Sequence, residues 1–322
     1  MGTLYLDRKE TTIKMDGNAL AFYRNGVRDG NVPLKPLDRV FIVGNIMMES
    51  AVLNKLAEQK TTVIFLSGKR LQFRGVLVNS LHQHGKLRVL QYHLSEKPFA
   101  LEFSKKIVER KLNGQEKLLQ EALKNKPTER MEISQGIKTL ENILRQIKNK
   151  QINVNSLRGL EGGAAAAYFK AFCRIFPQSL NFNKRQKRPP KDPVNAMLSL
   201  IYTMMHWEMV REIEIIGLDP TIGFYHEFVY GRESLACDLI EPYRPDVDRF
   251  VWQVFKKRLL SSRDFTEGKE RPGCYLKKGG RSKFYGLYEE WTKVTRRKWK
   301  KETENLARIL KIRLFPQALL KK

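Results

Sequence analysis

The pattern of hydrophobic and polar positions changes once along the chain. The first hundred residues contain short runs of β-branched and aromatic residues, separated by turn sequences such as Asp16-Gly17 and Arg28-Asp29-Gly30. Such runs are typical of β-strands. One helix, at about residues 46–59, interrupts them. The predicted strands are residues 3–6, 37–43, 62–66 and 71–78.

From Pro98 onward, apolar residues recur every three or four positions, which predicts amphipathic helices over 103–123 and 133–147. The alanine-rich segment 156–176 is predicted to form a further helix. Lys97-Pro98 is the predicted linker. The fold class is therefore α+β. A β-rich, sandwich-like N-terminal domain is expected over residues 1–97, and a mainly α-helical domain over residues 98–322.

Capping residues define two further helices. Asp192-Pro193 is typical of an N-cap followed by the first helical residue, and Gly217 is a typical stop. Ser234 can cap a second helix, which Pro242 and Pro245 are expected to bend or end.

Composition indicates an ordered protein in a reducing compartment. The 322 residues are 42% hydrophobic and 29% charged, enough for a substantial core. The three cysteines show no C-x-x-C spacing, so neither a disulfide framework nor a cysteine zinc site is expected. We expect a cytoplasmic protein. The longest apolar stretch, 40–48, is too short to span a bilayer, and the N-terminus shows no signal peptide, so no membrane role is expected.

Charge is distributed very unevenly. The formal net charge is +26, which favours a polyanionic partner such as nucleic acid over a basic face that only confers solubility, and over anionic lipid. Residues 201–250 nevertheless hold ten Asp and Glu against four Arg and no Lys, and they include His226. Carboxylates and a histidine repel phosphate unless a divalent cation lies between them. The combination suggests metal-dependent chemistry on nucleic acid.

Three residues in this region, and Glu161 outside it, are candidate metal ligands. Asp238 and Glu241 are three positions apart and therefore share one helix face. His226 precedes that helix, and Glu161 lies among glycines and alanines on another helix. Such a set suits Mg²⁺ or Mn²⁺ better than a closed zinc site. Each residue taken alone is also compatible with an ordinary surface or hydrogen-bonding role. We expect that surface role for three other acids: Glu208, Glu212 and Glu214.

Two basic clusters are candidate nucleic-acid contacts. Residues 184–191 place five cations in an extended loop that two prolines keep from forming a helix. Residues 293–301 interleave Trp299 with cations, but a solvated helix face with a buried Trp explains this cluster equally well. Neither cluster distinguishes DNA from RNA.

Four motifs occur in the order and spacing of one protein family. The chain resembles the universal CRISPR-associated endonuclease and integrase of the spacer-acquisition module. Its sequence differs from the commoner pattern of this family at Glu227-Phe-Val-Tyr and at Cys237. The motifs are Leu157-Arg-Gly-Leu-Glu161-Gly, Lys187-Arg-Pro-Pro-Lys-Asp192-Pro-Val-Asn195, Gly217-Leu-Asp-Pro with Gly223-Phe-Tyr-His226, and Ser234-Leu-Ala-Cys-Asp238-Leu-Ile-Glu241-Pro-Tyr-Arg244-Pro.

The resemblance implies a metal site and a reaction. Glu161, His226 and Glu241 would hold Mg²⁺ or Mn²⁺, with Asp238 as an auxiliary acid. The 3′-hydroxyl ends of a captured DNA fragment would attack phosphodiesters at the repeat array, and water in their place would give nuclease activity. His226 is interpreted as a ligand rather than a general base. The number of metal ions is left open.

The resemblance also implies partners. These are double-stranded DNA, a second copy of the chain joined through the β-rich domain, and a small ferredoxin-fold CRISPR-associated subunit that builds a larger complex. The alternatives are a non-catalytic basic nucleic-acid-binding scaffold and a scaffold for an RNA-containing complex. The candidate DNA contacts are Arg158, Lys184, Arg185, Lys187, Arg188, Lys191 and Arg244.

Overall fold

The chain forms two compact units. A computed structural model describes residues 2–68, 71–77, 85–149, 151–268 and 272–314. One unit is Met1–His82 with Tyr285–Glu290, and the other is Gln83–Phe284 with Trp291–Lys322. The sequence places the boundary later, at Lys97-Pro98. The difference arises because residues 85–95 are helical and group with the second unit.

Two four-stranded sheets build the first unit. One has the order β1-β5-β7-β8, in which only the β7–β8 pair is antiparallel, and the other has the order β4-β3-β2-β6. The elements are β1 (Gly2–Leu6), β2 (Thr11–Asp16), β3 (Ala19–Arg24), β4 (Val27–Pro33), β5 (Leu37–Val43), β6 (Met47–Met48), α1 (Ser50–Glu58), β7 (Thr62–Leu66) and β8 (Phe73–Leu77).

Alternating side chains from both sheets form the core of this unit. Ile13 and Leu20 come from one sheet, and Val40, Ile42 and Val63 come from the other. Alternation is expected where each strand turns one face inward. The α+β class, with strands followed by helices, is confirmed.

The β2–β4 meander was not predicted from the sequence. β4 is exposed along most of its length, so its residues lack the alternation that identifies a half-buried strand. Arg28-Asp29-Gly30 therefore lies inside β4, and the prediction that it forms a turn is wrong. Ion pairs of Arg28 with Asp16 and of Asp29 with Arg8 accompany this exposed strand. Asp16-Gly17 does connect two antiparallel strands, β2 and β3.

Helices dominate the second unit, and the predicted helical periods are confirmed. Among the described residues, none of the helices has an apolar stretch long enough to cross a bilayer. The elements are α2 (Gly85–Ser95), α3 (Pro98–Asn125), α4 (Arg130–Asn149), α5 (Val154–Arg174), α6 (Pro193–Ile216), α7 (Ser234–Ile240), α8 (Arg244–Lys256), β9 (Phe265–Glu267), β10 (Cys274–Leu276) and α9 (Lys278–Leu314), part of which groups with the first unit.

One expectation about α6 is wrong, and of the two interpretations of the cluster in α9 the structure supports the one with a buried Trp. Glu208 is 1% exposed because Arg296 of α9 donates to both of its carboxylate oxygens, at 2.6 and 2.9 Å. Glu212 is also buried, so it is not a surface residue either. Glu214 is half-buried and makes an ion pair with Arg88. Trp299 is buried as well, so the cluster at 293–301 offers no exposed indole for stacking on a base.

Helix caps follow the sequence at α6 but not at α7. The Asp192 side chain accepts the backbone N–H of Asn195 at 2.8 Å, and Gly217 ends α6 in the left-handed conformation. Ser234 is the first residue of α7 rather than its cap, and its hydroxyl donates to the carbonyl oxygen of Glu227 at 2.8 Å. This bond ties the start of α7 to the preceding loop.

We expect Asp192→Ala to lower the free energy of unfolding by about 1 kcal/mol, because an N–H at the start of α6 loses its acceptor. Lys97→Ala is the matched control, since Lys97 occupies the N-cap of α3 without a side-chain capping bond. Urea denaturation measures both. Equal effects of the two substitutions would contradict the assignment of Asp192 as a stabilising cap.

Candidate active site

A single buried carboxylate shapes the loop that carries His226. Asp238 of α7 is 0% exposed, and it accepts the backbone N–H groups of Phe224, Tyr225 and His226 at 2.6, 3.0 and 2.9 Å. A Cβ at Gly223 would lie 2.8 Å from Oδ2 of Asp238, so only glycine lets the loop approach this closely. Asp238 therefore fixes the backbone from which His226 projects.

The same carboxylate sets the tautomer of His226. The ring atom Nδ1 lies 2.7 Å from Oδ1 of Asp238. Because an ionised carboxylate can only accept, Nδ1 carries the proton, and the lone pair of neutral imidazole is then on Nε2. A carboxylate behind a ligating histidine orients it in this way in metal sites. The geometry favours a positioning role for Asp238 over direct ligation.

Glu241 lies in the turn of 3₁₀-helix that follows α7, where Pro242 ends the α-helix as predicted. Arg244 Nε donates to Glu241 Oε1 at 2.6 Å, and Lys111 Nζ lies 2.7 Å from Oε2. Burial disfavours the charged form of Glu241, but the charges of Arg244 and Lys111 outweigh it and hold the pKa of this carboxyl well below its ordinary value. Glu241 is thus ionised despite its burial.

Glu161 reaches the same place from α5. Lys111 Nζ donates to Oε1 of Glu161, so one ammonium contacts both candidate carboxylates. The Tyr225 hydroxyl donates to Oε2 at 3.3 Å. A cavity of about 300 Å³ opens at this point, and its lining residues are Arg158, Glu161, Tyr225, His226, Glu227 and Arg232.

The side chains of Glu161, Glu241 and His226 provide the kinds of ligand atom that a hard divalent cation prefers. Two ionised carboxylates and a neutral imidazole nitrogen suit Mg²⁺ or Mn²⁺. Glu241 Oε2 is buried and lacks a well-aligned hydrogen bond, although the Lys111 ammonium lies near it. Within the described ranges, no three His, Cys, Asp or Glu side chains are close enough together to hold a metal ion.

Burial raises the pKa of Cys237 to about 11, so this neighbouring thiol is not an available thiolate ligand.

Arg244 connects the candidate site to a second buried acid. Its guanidinium lies over the Tyr202 ring, 4.6 Å from the centroid. The Tyr202 hydroxyl donates a hydrogen bond to Oδ1 of Asp248, and the Tyr168 hydroxyl donates one to Oδ2 at 2.8 Å. Burial raises the pKa of Asp248 to about 6, although the two tyrosine hydrogen bonds oppose the shift.

The candidate DNA contacts fall into two groups. Lys184, Lys187, Arg188 and Lys191 are exposed, as expected for a loop that follows a phosphate backbone. Partial desolvation, followed by the charges of Arg244 and Arg185, lowers the pKa of Lys187, which indicates that this end of the loop is near the candidate site.

The other three cations already have protein partners. Arg185 donates to the side chains of Asn195 and Ser199 at 2.8 and 3.2 Å. Arg158 donates to the carbonyl oxygen of Tyr225 at 2.8 Å and pairs with Glu227. Arg244 is paired with Glu241, so its main role in this arrangement is to hold that carboxylate rather than to face solvent.

Lys111 is the important site residue that the sequence did not identify. It lies inside the predicted helix 103–123, in the apolar stripe of α3 with Ile107 and Val108. A charged residue in an otherwise apolar stripe was the available signal, because a buried cation requires an anionic partner. Tyr225 and Arg232 also line the cavity and were not singled out.

Comparison with known proteins gives one consistent family. Residues 4–290 match the family profile described as CRISPR associated protein Cas1. CRISPR-associated endonuclease Cas1 1 of Thermodesulfovibrio yellowstonii is 50% identical over 308 residues, which cover 96% of each chain.

Two solved structures share the fold. A CAS1 protein from Thermotoga maritima has a TM-score of 0.82 at 23% identity, covering 96% of this chain and 97% of that one. A casposase bound to integration product has a TM-score of 0.79 at 22% identity, covering 95% and 91%.

We expect Asp238→Asn to lower the free energy of unfolding by about 3 kcal/mol, because an amide cannot replace a carboxylate that accepts from three N–H groups and an imidazole. Asp246→Asn is the control, since that carboxylate is partly exposed and makes an ion pair with Arg249 at 3.4 Å. Chemical denaturation measures both. A loss below about 0.5 kcal/mol for Asp238→Asn would contradict the positioning role.

Asp248 is expected to make stability depend on pH. Its pKa is raised from an unfolded value of about 3.9 to about 6, so its stabilising contribution is complete below the first value and lost as pH rises through the second. Between pH 4 and 7 the parent should lose about 2 kcal/mol relative to Asp248→Asn. Urea unfolding at several pH values measures this, with Glu96→Gln as an exposed control. A constant difference between parent and Asp248→Asn would contradict the assignment.

Proposed function

This chain belongs to the CRISPR-associated Cas1 endonuclease family, and on that premise we propose that it integrates DNA fragments through a divalent-metal centre built by Glu161, His226 and Glu241. The observation that carries the proposal is that Glu161 and Glu241, from different helices, converge on one cation position. His226 lines the cavity that Glu161 opens onto, and its Nδ1 is held by Asp238.

The proposed reaction is strand transfer. The 3′-hydroxyl oxygen of the fragment bonds to a target phosphorus and gives its proton to solvent. The bond from phosphorus to the leaving 3′-oxygen breaks, and this oxygen takes up a proton from solvent to become a hydroxyl. Bound Mg²⁺ or Mn²⁺ would supply charge stabilisation for the target phosphate and for the attacking and leaving oxygens. With water in place of the 3′-hydroxyl, the same displacement is hydrolysis.

Each protein group has a distinct part in this proposal. Glu161 and Glu241 provide the negative charge that holds the cation. His226 provides neutral Nε2, and Asp238 keeps the imidazole in that tautomer. A histidine that ligates through its only lone pair cannot also accept a proton, so His226 acts as a ligand rather than as a general base.

The exposed loop at 184–191 is the proposed path of the DNA backbone. Four of its cations are exposed and directly precede α6, which is held at its start by Asp192. Contacts to phosphate position DNA without reading its sequence. Arg158 is a further proposed contact, released from Glu227 when a phosphate enters the cavity.

Integration at both ends of one fragment requires two active centres at a fixed separation. We therefore propose a homodimer that assembles through the first unit and binds a small ferredoxin-fold subunit, with double-stranded DNA as the shared ligand. The proposed location is the cytoplasm. Asp238, which the sequence suggests as an auxiliary acid, serves here to position His226.

We expect Glu161→Gln and His226→Ala each to reduce strand transfer with Mn²⁺ by about 100-fold or more, because each removes a proposed ligand. The measurement is joining of a labelled fragment to a target that contains repeats. A fragment lacking its 3′-hydroxyl should give no joined product. Glu141→Gln, an exposed acid on α4, is the control.

Parental rates in both ligand variants would refute the catalytic centre and favour a non-catalytic DNA-binding scaffold. Product that forms without the 3′-hydroxyl would favour hydrolysis over integration.

A further inference from the structure

The Lys111 ammonium occupies the space between the two proposed carboxylate ligands. The residue is only 7% exposed, and its Nζ donates to Glu161 and lies 2.7 Å from Glu241 Oε2. A divalent cation ligated by these oxygens would have to share or take over this position. Lys111 and the metal are therefore competitors for the same two carboxylates.

The charges of this cluster already balance without a metal. Glu161 and Glu241 provide two negative charges, and Lys111 and Arg244 provide two positive ones. A divalent cation added to this buried cluster leaves it with excess positive charge, which is unfavourable unless a cation moves away or an anion enters. DNA phosphate is such an anion.

The two cations differ in how readily they can move. Arg244 is held by its bond to Glu241 Oε1 and by its contact with the Tyr202 ring. Lys111 ends in a compact ammonium on a flexible four-carbon stem, which can leave by side-chain rotation alone. Lys111 is therefore the cation that is able to give way.

We propose that Lys111 is an internal counter-cation that the metal displaces from between Glu161 and Glu241, and that DNA phosphate promotes this exchange by accepting the released ammonium. The inference rests on the proposed metal site. It implies that the DNA-free protein binds metal weakly and that metal and DNA strengthen each other's binding. Such coupling is reciprocal, so it can be measured from either side.

The test measures Mn²⁺ binding to the full chain without DNA, by the electron paramagnetic resonance signal of free Mn²⁺. Lys111→Met and Lys111→Gln remove the competing charge, and each should bind Mn²⁺ about tenfold more tightly than the parent, or better. Lys111→Arg retains a cation and should stay near the parent. Arg110→Met is the matched control, because Arg110 is the preceding residue on α3 and pairs with Glu302.

A second measurement is DNA affinity by fluorescence anisotropy, with and without Mn²⁺. The parent should bind DNA more tightly when Mn²⁺ is present, and this gain should shrink in Lys111→Met. A gain that is equal in the parent and in Lys111→Met would overturn the coupling between the released ammonium and phosphate.

Glu161→Gln distinguishes failure of this inference from failure of the metal site. If Glu161→Gln weakens Mn²⁺ binding while the neutral Lys111 variants bind no more tightly than the parent, the metal site stands and the role of Lys111 is refuted. Tightening by Lys111→Arg equal to that by Lys111→Met would refute it too. If Glu161→Gln leaves Mn²⁺ binding unchanged, the proposed metal site fails, and the inference fails with it.

Discussion

An ionised carboxylate inside the helical unit requires positive charge or N–H donors around it, and this requirement determines the arrangement of the site. Glu241 is buried and ionised because Arg244 and Lys111 contact opposite oxygens of its carboxylate. Without those cations, burial alone would favour the neutral acid, which is a poor ligand for a divalent metal. The proposed metal ligand Glu241 and the two cations that keep it charged are therefore one structural unit.

The other buried acids meet the same requirement in different ways. Asp238 is satisfied by backbone N–H groups and an imidazole, so it fixes the loop that carries His226. Glu208 is satisfied by the guanidinium of Arg296, which ties α6 to α9. Asp248 accepts from two tyrosine hydroxyls, and its pKa rises because the cost of burying the charged carboxylate exceeds what these neutral donors and the nearby arginines recover. These three acids of the acidic segment thus hold neighbouring helices and loops in place, whereas Glu241 fits the proposed ligand role.

Regular periodicity made most of the helical unit predictable from the sequence. The period of three and four residues located α3 and α4, and the alanine-rich segment located α5. Asp192 and Gly217 located the ends of α6. Irregular or exposed elements were not predictable in this way. β4 has no buried face, so its sequence resembles a turn. Glu208 resembles a surface glutamate because its partner Arg296 is distant in sequence.

Sequence motifs predict some residues of the site, whereas others reach it only through tertiary packing. Glu161, His226 and Glu241 are identifiable because their flanking residues resemble a family pattern, but Lys111 precedes Glu161 by fifty residues, outside every motif. The net charge of +26 also conceals the local balance, because the proposed ligands and their cations cancel one another. In the proposed function, the excess positive charge would attract DNA from a distance. At the carboxylates themselves, the proposed exchange of the Lys111 ammonium for a divalent metal depends on a phosphate that accepts the displaced ammonium.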